Sequence, residues 1–478
     1  MRKRQANLVA KAAPILLTAL VLSGCAVGPN YHRPVVQAPT AFRAPDEPQA
    51  SETQTTSFAD LPWWQVFHDP QLQGLIHTAL KQNYDLQLAV ERVNAARAQV
   101  GIARSNQFPQ VSLDPNFSGG KTDQNIKSNV FQLAGDVVFQ VDLFGRYRRE
   151  TEAARAQLLG TQDAQQTVIL TLVSDVASAY FLLRDLDLQL QITRETVRNQ
   201  EDSVKLTKLR LEHGVATTLD VLQARQVLDV ANAQIPDLER QIGQTEDALN
   251  ILLGKYPDNV PRGMPLGIET AEGWTWSESL PPELPTGLPS QLLERRPDIH
   301  QAEENLVAAN ANIGVAKAMF FPQISLLGSG GAAFGHSQFA GSHVPAPLGV
   351  GSYAAAATQP IFEGGALRSN LRYAKSEERQ ALIGYQQTIQ RAFGDVSDAL
   401  IGYDKYHVVR ERQEQSVQDL QQSVNVSLMR YRGGTSNYLE VLDSQRSLFD
   451  AELTLAHARN NEYQGLVQLY KALGGGWK

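Results

Sequence analysis

"ARAQVGIARSNQFPQVSL", residues 96–113, returns 213 positions later as "NANIGVAKAMFFPQISL", residues 310–326, which lays Phe108-Pro109-Gln110 over Phe321-Pro322-Gln323. A second pair, "LEHGVATTLDVLQARQ" (211–226) and "YRGGTSNYLEVLDSQR" (431–446), matches at an offset of 220, and so does Leu253-Gly254 with Leu473-Gly474. A length of 478 residues would suggest about three domains. The repetition overrides that prior, because both offsets far exceed the 20–50 residue periods of solenoids and signify duplication of one large unit.

Each copy has the same order: a helix, a pair of short alternating segments, a very long helix, a glycine turn and a second long helix. Phe144 to Glu212 contains no proline, and Ile169, Leu172, Val173, Val176, Tyr180 and Leu183 follow the i, i+3, i+4, i+7 spacing of one helical face. At 1.5 Å per residue such a helix is a rod of ~100 Å. Residues 361–478 are also free of proline and are broken only at Gly433-Gly434 and the terminal Gly474-Gly475-Gly476. Two antiparallel helical hairpins follow, of a length that points to a coiled-coil or tubular assembly. Pro236 in the return helix of the first copy predicts a kink.

The alternating segments show where these rods are mounted. In "FQLAGDVVFQVDL" (131–143) the odd positions are Phe131, Leu133, Gly135, Val137, Phe139, Val141 and Leu143, while most even ones are polar. Residues 111–118 likewise set Val111, Leu113 and Phe117 against Ser112, Asp114, Asn116 and Ser118. This predicts strands with one apolar and one wet face. From Ala318 to Phe362 there is no Asp, Glu, Lys or Arg, as expected of strands whose outer face meets lipid. Four such strands would leave two unpaired edges in the bilayer, so the chain must close its barrel with copies of itself. Two chains would supply eight strands with a filled interior; three would supply twelve and leave a passage, which a conducting role favours.

The N-terminus has a basic start (Arg2, Lys3, Arg4, Lys11) and an apolar run from Ala12 to Ser23, the layout of a secretory signal peptide. The run is shorter than the ~20 residues a membrane helix needs. Leu22-Ser23-Gly24-Cys25 then resembles the lipobox of bacterial lipoproteins, which implies cleavage after residue 24 and lipidation of Cys25, the sole cysteine. Several acyl chains on one cysteine would satisfy the two-signal requirement for stable attachment. Cleavage removes four positive side chains and takes the formal net charge from −7 to −11, which excludes nucleic-acid binding; one thiol also excludes a disulfide framework or a thiolate metal site.

The mature chain resembles the TolC-type outer-membrane efflux factors, in particular their NodT branch. The likeness rests on "CAVGPNYHRP" (25–34), "PWWQVFHDPQLQGLIHTALKQNYDL" (62–86), "LLERRPDIHQAEENLVAANANIGVAKAMFFPQISL" (292–326) and "QPIFEGGALRSNL" (359–371). It implies an α+β membrane protein: a trimeric twelve-stranded transmembrane β-barrel, four strands per chain, continued by a long α-helical periplasmic barrel with internal duplication. The implied partners are two further copies of the chain, a periplasmic adaptor, an inner-membrane pump and outer-membrane lipid. No cofactor, metal or nucleic acid is implied. The chain then divides into a signal peptide (1–24), a lipidated segment (25–61), a first helical repeat (62–108 and 144–253) around a hairpin at 109–143, an equatorial linker (254–297), a second helical repeat (298–321 and 364–473) around a hairpin at 322–363, and a tail (474–478).

The resemblance also places a periplasmic gate at the acids past the glycine turns. Glu440 and Asp443 share a helix face at i, i+3 near an N-terminus, where the dipole favours their charge; Asp220 is the first-copy counterpart of Glu440, and Gln223 that of Asp443. Three copies would ring a constriction with carboxylates and favour cations. The same acids would also serve as ordinary dipole-compatible surface groups. The turns Gly214, Val215, Ala216, Thr217 and Gly433, Gly434, Thr435, Ser436 are the implied adaptor-contact tips, and the need for a tight left-handed reversal explains their glycines equally well.

Other patterns carry less. "GSGGAAFG" (328–335) lacks the Lys-Ser/Thr of a phosphate loop and sits in a strand pattern. The resemblance puts His336 and His343 in an extracellular loop between strands, Trp63, Trp64 and Phe67 read as packing aromatics, and Pro297 after Arg295-Arg296 reads as a helix start. No nucleophile elbow or metal-ligand spacing supports an enzyme. The competing reading is a lipid-anchored periplasmic coiled-coil spacer without a channel, which explains the rods and the lipid but not the charge-free alternating segments.

Overall fold

The computed structural model describes residues 26–36, 39, 42–43, 60–66, 69–121, 127–263, 289–339, 342–343 and 348–475. The signal peptide, Cys25 and Phe67 lie outside the described residues, as does the side chain of Trp64. In chain order the elements are α1 (Trp63–Val66), α2 (Pro70–Gln82), α3 (Tyr84–Ser105), β1 (Gln110–Lys121), β2 (Lys127–Val141), α4 (Arg146–Glu212), α5 (Thr218–Leu252), α6 (Pro289–Arg295), α7 (Pro297–Ala318), β3 (Gln323–Phe339), β4 (Ser342–His343), β5 (Leu348–Thr358), α8 (Ala366–Arg432) and α9 (Tyr438–Ala472).

The duplication extends to element length. The pairs α3 and α7, α4 and α8, and α5 and α9 have 22, 67 and 35 residues each. Helix α5 continues through Pro236 without a break, although proline has no N–H to donate to the Asn232 carbonyl. Helix α7 does begin at Pro297, and "GSGGAAFG" lies within β3. The backbones of His336 and His343 are in β3 and β4 rather than in a loop: the second hairpin's ladder reaches further toward its tip, with β4 pairing Gln338 and Phe339 before β5 resumes.

Chain contacts define two compact units. The first comprises Met1–Val36, Glu91–Asp163 and His300–Gln387. It holds the sheet, antiparallel throughout, in which β1 pairs β2, β2 pairs β3 and β3 pairs β5. Beside the sheet, small side chains let α4, α7 and α8 approach closely: Ala153, Ala156, Ala308 and Ala311 form one buried cluster, and Ile313, Ala316 and Ala374 another. The extended segment after residue 25 is a strap on this core. Val27 N–H donates to the Phe144 carbonyl at 3.0 Å, Asn310 Nδ2 to the Pro29 carbonyl at 3.2 Å, and Tyr31 Oη to Glu303 Oε1 at 3.0 Å. Gly28 has φ 112°, and a Cβ there would stand 2.5 Å from Gly314 Cα, so both glycines are required where strap and helix cross.

The second unit comprises Gln37–Val90, Ala164–Ile299 and Thr388–Lys478. Tyr180, Phe181, Leu183, Leu72, Ile76 and Leu249 are fully buried there, and Phe181 stacks on Tyr463 with centroids 4.9 Å apart. Trp63 is also buried, edge-on to His77. Asp69 is the polar centre of this core. It caps α2 by accepting from Gln71 N–H at 2.8 Å, takes the Tyr180 hydroxyl at 2.7 Å and pairs with Arg184 at 3.1 Å, with both charged side chains under 10% exposed. Removing one member of such a buried pair costs ~3–5 kcal/mol, because the other charge is left stranded. Arg296 binds Asp298, Asp395 and the Ala472 carbonyl, a structural role for the Arg-Arg-Pro-Asp stretch.

A titratable pair joins α4 to α9 in this unit. Asp185, fully buried, accepts from Gln189 Nε2 at 2.9 Å and pairs with His457 Nδ1 at 3.3 Å, while its Oδ1 has no donor among the described residues. The hydrogen bond to Asp185 raises the His457 pKa above its ordinary 6.5, against an opposing effect of burial. A raised folded-state value means that this stabilisation is complete below pH ~6.5 and is lost as pH climbs through the folded value. Thermal unfolding of the wild type should therefore lose midpoint between pH 6 and 9 by more than that of His457→Gln; parallel pH profiles would contradict the pairing.

Candidate channel wall and gate

The channel wall follows from register. Directly paired residues share a face, so Phe117, Phe131 and Phe334 align, as do Val111, Val137 and Tyr353 across Gly328, and Val141 with Ile324 and Ala357. Val111, Leu113, Phe117, Phe131, Leu133, Val137, Phe334 and Tyr353 are all exposed, so one face of the sheet is an open apolar surface. From Phe131 to Val141 this face runs ten residues. At ~3.3 Å each and the usual 35–45° tilt, that gives ~25 Å of height, the thickness of an outer-membrane apolar band.

The opposite face carries the sheet's acids and a row of hydroxyls, alongside Val130, Val138 and Leu327. Ser112, Asp136, Ser329 and Ser352 form one row across all four long strands, and Ser329 and Ser352 hydroxyls meet at 2.8 Å. Asp114, on the same face, accepts from Ser112 Oγ at 3.1 Å. Asp114 and Asp136 are the two charged residues on this face within the strands, a feature that alternation alone did not single out. Their carboxylates are affordable only because this face is wet.

At the far ends of the long helices, two turns of matching geometry reverse the chain. In the first, Gly214 (φ 73°) lets Val215 N–H reach the Arg210 carbonyl at 2.9 Å and Gly214 N–H the Leu211 carbonyl at 3.0 Å. In the second, Gly434 (φ 72°) lets Thr435 N–H reach the Arg430 carbonyl at 3.0 Å and Gly434 N–H the Tyr431 carbonyl at 3.1 Å. Each is a Schellman closure, whose left-handed residue favours glycine. Val215 is well exposed, as are Ala216's neighbours Gly214 and Thr217; Gly433, Gly434 and Thr435 are exposed and Ser436 is half-buried.

The three acids singled out in the sequence differ in their bonding. Asp220 closes a capping box: Thr217 N–H donates to Asp220 Oδ2 at 2.7 Å, and Asp220 N–H donates to Thr217 Oγ1 at 3.2 Å. Its carboxylate is thus engaged in starting α5. In the second copy Asn437 takes over as cap, accepting from Glu440 N–H at 3.2 Å, which frees the acid side chain. Glu440 lies 3.6 Å from Arg430 with both side chains about half exposed, an attraction worth at most ~1 kcal/mol. Asp443 is exposed one turn further on, with no ion-pair partner among the described residues.

Behind these acids sits an aromatic cluster that sequence reasoning missed. Tyr431 and Tyr438 flank the turn with ring centroids 5.2 Å apart, Arg210 of α4 lies 4.3 Å above the Tyr431 ring, and Val204, Ala224, Val441 and Leu442 complete the cluster. Burial holds both tyrosine hydroxyls above their ordinary ionisation range. The two tyrosines bracketing "RGGTSN" were the available signal, but their pairing with Arg210 joins residues over 200 positions apart.

Known proteins share this arrangement from end to end. The family model described as outer membrane efflux protein matches residues 75–255 and 288–475. The toluene efflux pump outer membrane protein TtgC of Pseudomonas putida is 36% identical over 97% of this chain and 95% of its own. The cation efflux system protein CusC of Escherichia coli K12 is 34% identical over 96% and 98%. Among solved structures, CusC superimposes with a TM-score of 0.82 at 33% identity, covering 95% of this chain and all of that one. The open-state outer membrane channel MtrE of Neisseria gonorrhoeae does so with 0.82 at 30% identity, covering 95% and 99%. These likenesses place the protein in the outer membrane as a passive channel and not an enzyme, and they exclude the spacer reading. By the match of the family model to both halves and of these relatives over nearly the whole length, the chain belongs to the outer membrane efflux protein family, in the NodT branch that its sequence resembles.

Proposed function

We propose that three copies of the chain close a twelve-stranded barrel and form the exit duct of a tripartite efflux pump, docked at the helix tips to a periplasmic adaptor and through it to an inner-membrane pump. The observation that carries this reading is the sheet's two open edges. Among the described residues, strand β1 has a partner only on its β2 side and β5 only on its β3 side, in a sheet whose apolar face is exposed. In hydrocarbon each unpaired backbone group costs several kcal/mol, so β1 of one copy must meet β5 of the next. The row of Ser112, Asp136, Ser329 and Ser352 then lines the lumen, and the domain limits drawn from the sequence become a barrel hairpin and a helical repeat in each copy. The relatives named for toluene and for cation efflux differ in cargo, which supports assigning selection to the pump rather than to the duct.

The test is planar-bilayer recording on the purified full-length protein together with its mass in detergent. Three-chain particles that conduct are expected; monomers, or trimers without conductance, would refute the duct.

For the gate, Glu440 and Asp443 of three copies supply six carboxylates around the periplasmic constriction, while Asp220 contributes less because its charge is held in the capping box. Glu440→Ala with Asp443→Ala should raise single-channel conductance and weaken block by divalent cations, whereas Asp220→Ala should act mainly on stability, by the ~1 kcal/mol typical of a lost cap. Unaltered block in the double variant would remove these acids from the gate.

For the anchor, lipid on Cys25 fits the position of the strap, since Ala26 sits against Gly145 and Val27 bonds Phe144 just after β2 ends. Cys25→Ser should abolish acyl labelling and processing while leaving the strap's contacts intact; a correctly cut serine variant would argue against lipidation.

A further inference from the structure

One surface beside the sheet is left unexplained by the duct itself. Helix α8 presents Arg368, Arg372 and Lys375 at i, i+4, i+7, with Arg379 continuing the stripe, and all four are exposed. At 100° per residue the first three fall within about 60° of one another. From Gly364 to Ser376 there is no acid, and none of the four cations has an ion-pair partner among the described residues. Such a stripe is anomalous on a chain whose formal net charge is negative.

Its position along the chain gives the first constraint. Strand β5 ends at Thr358, and Ile361 and Phe362, 93% and 87% exposed, stand between it and the stripe. An apolar pair and, past Glu363 and about one and a half turns of chain, a run of cations on leaving a membrane-spanning strand is the pattern of an interfacial anchor, in which long basic side chains reach the headgroups. Arg368 to Lys375 covers ~10 Å of helix axis. The headgroup layer is ~5–7 Å deep on each side of the hydrocarbon core, within reach of these extended side chains.

The side of the helix gives the second. On α7, Glu303, Asn310 and Gly314 face the strap, whereas Asn305 and Asn312, half a turn away, line a groove of about 500 Å³ shared with α8. Glu377 of α8 lines that groove, and the nine residues from Arg368 to Glu377 rotate by 180°, which puts the basic stripe on the strap side. Lys317, seven residues beyond Asn310, is exposed on the same side of α7. A second copy of the chain is a poor occupant. The helix leading into the open β1 edge, α3, has Arg97 and Arg104 in its last turns and no acid after Glu91, so like charges would meet.

Building on the membrane placement of the duct, we infer that Arg368, Arg372 and Lys375, supported by Lys317, bind the phosphodiester headgroups of anionic phospholipids in the periplasmic leaflet. Each basic residue near an anionic lipid surface strengthens attachment about five-fold at low ionic strength, and salt weakens it.

The test is native mass spectrometry of the full-length protein in mild detergent, titrated with phosphatidylglycerol or with phosphatidylcholine of the same acyl chains. The wild type should retain phosphatidylglycerol preferentially. Arg368→Gln/Arg372→Gln/Lys375→Gln should lower that preference by up to about a hundred-fold at low salt, and Arg368→Lys/Arg372→Lys/Lys375→Arg should restore it. No preference in the wild type, or an equal preference in the glutamine variant, would overturn the inference. If the glutamine variant does not fold, Lys317→Gln and the wild-type comparison still decide it. Bilayer recording on the same wild-type sample separates the two readings: a conducting protein indifferent to headgroup charge defeats the lipid site alone, and one that neither trimerises nor conducts defeats the duct.

Discussion

Backbone hydrogen bonding in a medium without water governs this molecule. A sheet with strand order β1-β2-β3-β5 satisfies its interior strands and leaves two of its four long strands half-paired. In water such edges would be a tolerable aggregation hazard; beside the apolar face of this sheet they make the single chain an incomplete object. The same medium accounts for the charge-free character of the second hairpin, since a charged side chain facing hydrocarbon is penalised. On this face β5 carries Gly349, Gly351, Ala355 and Ala357 around a single large side chain, Tyr353.

Closure has to be compatible with tight helix packing next to the sheet, and glycine and alanine serve that end. The strap crosses α7 at a glycine pair, and the helices of the first unit meet through alanines, so little side-chain volume separates the backbones. The second unit follows another strategy. Its core gathers large aromatics around Asp69, Tyr180 and Arg184, a polar centre that must be made in full or not at all. One half of the chain is thus shaped by proximity and the other by specific bonding.

Much of this was readable from residues alone, and the reason is periodicity. The helix pairs repeat to the residue in length, and the alternation in 131–143 named the apolar face that the register then assembled with Val111, Leu113 and Phe117. What stayed hidden depended on contacts distant in sequence. Pairing of β2 with β3 joins residues near 135 to residues near 330, and nothing local specifies it. Asp220 and Glu440 look equivalent in alignment, yet a threonine cap in one copy and an asparagine cap in the other send the first carboxylate inward to the backbone and leave the second outside the cap, beside Arg430. Arg210 could not be placed beside Tyr431 without knowing that α4 and α8 end together.

Pro236 has a mechanical consequence. The return helices α5 and α9 have the same length, and the position equivalent to Pro236 in the second copy is Ala456, a fully bonded helical residue. The first copy therefore has one rung fewer in its hydrogen-bond ladder, eighteen residues from its start, and bends there at lower energy. Force applied at the turns is taken up unequally: α5 yields as a spring about a fixed point, while α9 transmits the load as a strut along its length. The two rods are equal in length, and the proline makes them unequal in stiffness at this point.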